Sequence, residues 1–161
     1  MKIGLHNESR ASKQDIASLE MVIGQKLDKE FLEFIANHNG ATPDANSYPV
    51  DGLHHMGSIR KFIPIEKIPQ ELRIIEDSQV GNLEFSYPIA LDDCGNYTIL
   101  SQGKDGGIFF WDHEIDKISK LSDRFNEFLE MVEPFELSND INESCRSADI
   151  WVDPNFKPDF S

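Results

Sequence analysis

Hydrophobic and polar positions change period several times along the chain, and each change predicts an element. Ile16, Leu19, Val22 and Ile23 fall at helical spacing. Ser12 precedes them as an N-cap, with Asp15 three residues on. Gly24 and the short segment to Leu27 end that stretch. Asp28 suits the cap of a second helix, whose apolar stripe is Phe31, Leu32, Phe34 and Ile35. Asn39-Gly40 stops it, because glycine tolerates the left-handed conformation past a helix end. The pair predicts a helical hairpin. Residues 41–58 are rich in Pro, Gly, Asn and Asp, and read as a long surface loop with a short strand near residues 48–50. Residues 59–65 alternate as a strand, and Pro64 places it at an edge or an end. Ile68, Leu72 and Ile75 share one face of a short helix, with Pro69 in its first turn.

The period then shortens to two. Ile89 and Leu91 alternate, and Asp92, Asp93, Gly95 and Asn96 interrupt them with turn chemistry. Tyr97, Ile99 and Ser101 resume the alternation. A Gly-rich break at residues 102–107 precedes a third apolar run, residues 108–111. Three such runs joined by tight turns predict an antiparallel meander. Alternation gives each strand one face for a core and one for water. Ser119 or Ser122 would cap a last helix carrying Leu121, Phe125, Phe128, Leu129 and Val132, with Pro134 after its end. Beyond Pro134 the pattern fails. Glu136, Asp140, Glu143, Asp149, Asp153 and Asp159 are answered only by Arg146 and Lys157, and Trp151, Phe156 and Phe160 are spaced irregularly. The organisation expected is one domain over residues 1–134 and an acidic extension over 135–161.

Charge narrows the choice of partner. The 161 residues carry a formal net charge of −14. Nucleic-acid binding needs a basic footprint, and an anionic membrane surface would repel this chain. A basic protein partner fits, because a negative field steers cations inward. Cys94 and Cys145 lie far apart, with no spacing for a disulfide framework or a zinc knuckle, which suits a reduced, cytoplasmic setting. Residues 1–8 lack the long apolar segment of a secretory signal, and no stretch approaches the roughly 20 apolar residues of a membrane span.

The chemistry-bearing residues have competing readings. Asp92 and Asp93 with Asp112, His113 and Glu114 would approach one another if the strands pair. Carboxylates with a histidine suit a divalent cation or acid–base work, as in a metal-dependent hydrolase. The plainer reading is preferred: Asp92, Asp93 and Asn96 build a turn, Gly95 supplies a positive φ, and Asp112 and His113 tie down a strand end. His54 and His55 beside Met56 lack further ligands nearby and read as loop histidines. Cys94, following Asp92 and Asp93, reads as a buried or half-buried turn residue, since neighbouring acids raise a thiol pKa. There is no Gly-x-Ser-x-Gly elbow and no phosphate loop. No catalytic residue, metal or cofactor is expected.

Taken together, these segments resemble the SUKH superfamily, the group around a fungal cell-wall-assembly regulator. Leu27, Phe31, Phe34 and Ile35 ending in Asn39-Gly40 resemble its opening, with Asp28 where the family usually has Pro; both suit a helix start. Residues 62–68, 89–97 and 107–114 resemble its next element and its central strands, and residues 125–129 its closing helix. The resemblance implies an α+β fold, with a central, mainly antiparallel sheet on which an N-terminal helical hairpin and a C-terminal helix pack. It also implies protein binding rather than catalysis. Many bacterial members look like immunity proteins that neutralise a toxin, often a nuclease, and fungal members are regulatory scaffolds. On that reading a basic cognate toxin domain is the partner. Asp92, Asp93, Asp112 and Glu114 would supply the acids, and Tyr48, Trp151 and Phe156 the aromatic anchors.

Overall fold

The computed structural model describes residues 3–50 and 55–134. Helix α1 (Lys13–Ile23) starts as the pattern predicts: the Ser12 hydroxyl accepts from the Asp15 amide at 3.0 Å. Gly24 ends it at φ 78°, its N–H donating to the Glu20 carbonyl. Helix α2 (Lys29–His38) is capped by Asp28, whose carboxylate accepts from the Phe31 amide at 2.9 Å. Phe31, Phe34 and Ile35 form its buried stripe. The two helices find their main helical partners elsewhere in the chain.

Residues 41–50 and 55–58 carry the short strand expected near 48–50 and more pairing than the loop expected around it. Strand β1 (Leu5–His6) pairs with β2 (Thr42–Pro43), and β3 (Ser47–Val50) pairs with β4 (His55–Ser58), both antiparallel. Tyr48 and Val50 are buried. Composition marked most of this segment as loop, but Tyr48 and Val50 point inward and their burial overrides local preference. Gly57 permits this: a Cβ there would lie 2.4 Å from the Tyr48 ring.

The centre is a five-stranded antiparallel sheet, β5 (Lys61–Phe62), β6 (Ser86–Leu91), β7 (Tyr97–Ser101), β8 (Gly107–Asp112) and β9 (Lys117–Ser122), in that spatial order. The predicted three-strand meander is β6–β8. The strand expected over 59–65 shortens to β5, an edge strand ending before Pro64, as proline's missing N–H requires. Helix α3 (Ile68–Ile75) crosses between β5 and β6 with Pro69 in its first turn and Ile68 and Ile75 buried.

Both faces of the sheet are covered, which corrects the expectation of one wet face. Leu100, Ile108 and Phe110 join the main core, while Ile99, Phe109 and Trp111 form a second cluster with Ile75 and Val80. A short 3-10 turn, Gln79–Asn82, lies over that second face. Asp116 holds it: one carboxylate oxygen accepts from the Trp111 indole N–H at 2.8 Å and from the Gln79 amide at 3.0 Å. The unbroken apolar run of β8 is the sequence signature of a strand buried on both sides.

Ser119 and Ser122 belong to β9 and cap nothing. Helix α4 (Phe125–Met131) begins after Arg124, which makes no capping bond of its own. Its cap comes from α2. One Glu30 oxygen accepts from the Asn126 amide at 2.9 Å and the other pairs with Arg124. Accordingly α2 lies against α4, and α1 against α3. The Asn126 amide, then Arg124, hold the Glu30 carboxyl below the ordinary carboxylate range against the opposing effect of burial. A depressed folded pKa contributes stability above the unfolded pKa that is lost as pH falls through the folded value. Glu30→Ala should therefore cost about 1 kcal/mol near neutrality, the size of a cap. The difference from the parent should vanish in acid denaturation below the carboxylate range, measured by urea melts across pH.

Candidate functional site

The two polar turns do meet at one end of the sheet, and their geometry is that of turn construction. Asp92 donates its amide to the Asn96 carbonyl at 3.1 Å. Its Oδ1 accepts from the Cys94 and Asn96 amides at 2.8 Å each, and its Oδ2 from the Asn96 side chain at 2.8 Å. Gly95 takes φ 95°, and a Cβ there would approach the His113 ring to 3.3 Å. Asn96 then bridges to the second turn. Its Oδ1 accepts from the His113 amide at 3.1 Å and lies 2.9 Å from His113 Nδ1. Asp112 Oδ1 accepts from the Glu114 and Ile115 amides at 3.0 and 3.4 Å. Beneath this end the Tyr97 and Trp111 rings stack at 5.8 Å, and the Tyr97 hydroxyl donates to Glu71 at 2.7 Å.

This arrangement sorts the expected partner-facing residues. Asp92 is 6 % exposed and its carboxylate is committed to three N–H donors, so it is a builder of the site rather than its surface. Asp93 is open to solvent, 3.7 Å from Arg60. Glu114 is exposed and Asp112 is half-buried. Tyr48 is corrected outright: it is 1 % exposed, its ring packs on Phe128 at 5.2 Å and its hydroxyl meets Thr98 at 3.1 Å. Burial pushes that hydroxyl's pKa up. It is a core residue and anchors nothing outside. Trp151 and Phe156 lie outside the described residues, as do His54 and Cys145. Cys94 is exposed rather than buried, because the turn engages its amide and leaves its thiol facing out. His55 is exposed at the start of β4, its ring 5.7 Å from Phe110.

Among the described residues no three His, Cys, Asp or Glu side chains are grouped to hold a metal ion. Ile115 is a further candidate at this end of the sheet. It stands 66 % exposed between Glu114 and Asp116, an apolar side chain at the apex of an acidic turn. The signal was one isoleucine inside a polar turn, which no core pattern explains. Removing the turn's central acceptor tests the construction. Asp92→Ala should cost about 2 kcal/mol, since the part-buried Cys94 and Asn96 amides lose a charged acceptor together. Thermal melts would show it, and Asp92→Asn should recover part of the loss.

The span from the first helix to the closing one matches a known family. The model of the SMI1 / KNR4 family (SUKH-1) matches residues 10–131. The chain belongs to that family. The matched span of this SUKH-1 protein opens just before the Ser12 cap and closes on Met131, the last residue of α4. It therefore takes in both N-terminal helices, the whole five-stranded sheet and the closing helix. A comparison with curated proteins found no match. Among the described residues of this SUKH-1 chain, no helix is long and apolar enough to cross a membrane.

Proposed function

We propose that this SUKH-1 chain is a cytoplasmic immunity protein that neutralises a cognate, basic toxin domain by covering its surface, and that it performs no chemistry itself. Family membership over residues 10–131 carries the reading. The net charge of −14 supplies the sign of the partner, because a strong negative field speeds encounter with a cationic surface. The carboxylates best placed for chemistry instead hold backbone: Asp92 and Asp112 bind turn amides. Such groups are preorganised for rigidity, and rigid surfaces bind at lower entropic cost.

The test is co-expression with the C-terminal domain of a large secreted protein encoded beside this chain's gene. Rescue of growth and a stable complex are expected. Unrelieved toxicity overturns the reading and leaves the scaffold role of the fungal members as the alternative. In the same complex, association should slow by about tenfold between 50 mM and 500 mM salt in stopped-flow mixing, as screening removes the steering field. An unchanged rate would remove charge from the mechanism.

A further inference from the structure

We propose that the groove between the β2–β3 connection and the end of α4 is a docking surface for a basic segment of a partner protein carrying one apolar anchor. The proposal rests on the reading of the chain as a binder of a basic protein, and names the face that does the binding. The largely buried Ala45, Leu129 and Val132 form the bottom of the groove, and the exposed Pro134 adds apolar surface at its edge. The charged residues lining it among those described are Asp44, Glu130 and Glu133, all acidic and all exposed. No lysine or arginine among the described residues lines it.

Two features hold this surface in shape. Ser47 and Glu133 exchange both backbone hydrogen bonds, at 2.9 and 2.8 Å, so the chain after α4 is pinned to β3. On the other wall, Asp44 accepts from the Gly4 amide at 2.8 Å, which fixes its carboxylate at the rim. An apolar floor with a polar rim, whose charged members among the described residues are all acidic, is the anatomy of a small protein interface. Its complement is a lysine- or arginine-flanked aliphatic or aromatic side chain. Charge complementarity of this kind selects the partner and sets register, while the buried anchor supplies affinity. The acidic end of the sheet differs from it: there the carboxylates of Asp92 and Asp112 accept turn amides, and the exposed apolar residue Ile115 protrudes. A protrusion inserts into a partner, whereas a groove receives one.

The experiment titrates the ¹⁵N-labelled full chain with the peptide KKLFKK, using EELFEE and KKSSKK as controls. Perturbed amides are expected at Ala45, Leu129, Glu130 and Glu133 with KKLFKK. The acidic peptide should leave them unmoved, and the anchorless one should shift them weakly. The Glu130→Lys/Glu133→Lys double variant should weaken KKLFKK binding by about tenfold with its fold intact by circular dichroism. The proposal is overturned if the shifts concentrate at Asp93 and Glu114, or if the double variant binds equally well. It is also overturned if the same amides shift with protein concentration alone, which would place a second copy there. Contacts from the Trp151 indole to the Leu129 methyls would overturn it too, by showing the groove filled by the chain's own extension. Co-expression separates this from the broader reading. If the parent protects and the double variant protects equally, the groove is wrong and immunity stands. If the parent gives no protection, immunity fails while the peptide map still decides the groove.

Discussion

Phe31→Ala should destabilise the domain by about 3–5 kcal/mol, the cost of removing a fully buried aromatic side chain and leaving a cavity. Phe31 is 0 % exposed. Its ring meets Tyr87 of β6 at 5.7 Å and Phe125 of α4 at 5.4 Å, edge-on in the second case. One side chain on α2 therefore joins the central sheet to the closing helix. Phe34 extends the same cluster to Phe125 and, at 4.6 Å, to Phe62 of β5. Since native domains carry only about 5–15 kcal/mol in total, this single change removes a large share. Urea unfolding followed by tryptophan fluorescence would measure it. Phe31→Leu, which keeps most of the volume, should lose less than half as much. Equal losses for both variants would mean that ring contacts, not space filling, dominate.

Asn39→Ala should cost about 3 kcal/mol, because it orphans a buried amide and removes donors at once. Asn39 is 4 % exposed. Its Oδ1 accepts from the amide of Ile65, itself 0 % exposed, at 2.8 Å. Its Nδ2 lies 3.2 Å from Glu66 and 3.3 Å from the Ser9 hydroxyl. The backbone of Ser9 and Asn39 also exchanges two hydrogen bonds of 3.0 Å. One side chain thus fastens the N-terminal segment, the end of α2 and the chain entering α3. Asn39→Asp keeps the acceptor for Ile65 but sets a carboxylate against Glu66, so its loss should be of similar size near neutrality. It should shrink as pH falls and the repulsion is relieved. Matched chemical melts at two pH values would check this.

Legibility in the sequence followed locality. Ser12 and Asp28 announced their helices because a cap acts within three residues, and both make the bonds expected. The turn role of Asp92 and Asn96 was legible for the same reason. Glu30 capping Asn126 was not, since nothing near either residue signals the other. Strand β9 was missed because both sheet faces are covered: Ile118 packs on the second cluster and Leu121 on the main core. Leu121, four residues before Phe125, then imitates the spacing of the closing helix. Tyr48 was misplaced because its surroundings are rich in Pro, Gly and Asn, and only tertiary packing on Phe128 draws it inward. At the sheet end, proximity of the two acidic turns followed from the meander. The Asn96 bridge to His113 depended on register, which alternation alone leaves open.

The Glu30 cap has a consequence for synthesis. Its two partners are separated by 96 residues, and the Ser47–Glu133 bridge spans a comparable stretch of chain. Closing loops that long is entropically costly and slow until both ends exist. On the ribosome, α2 must wait, partly unpartnered, until the residues after Ser122 have left the exit tunnel. The domain is thus complete only once α4 has emerged, and messages truncated upstream of Phe125 should yield chains that proteases clear.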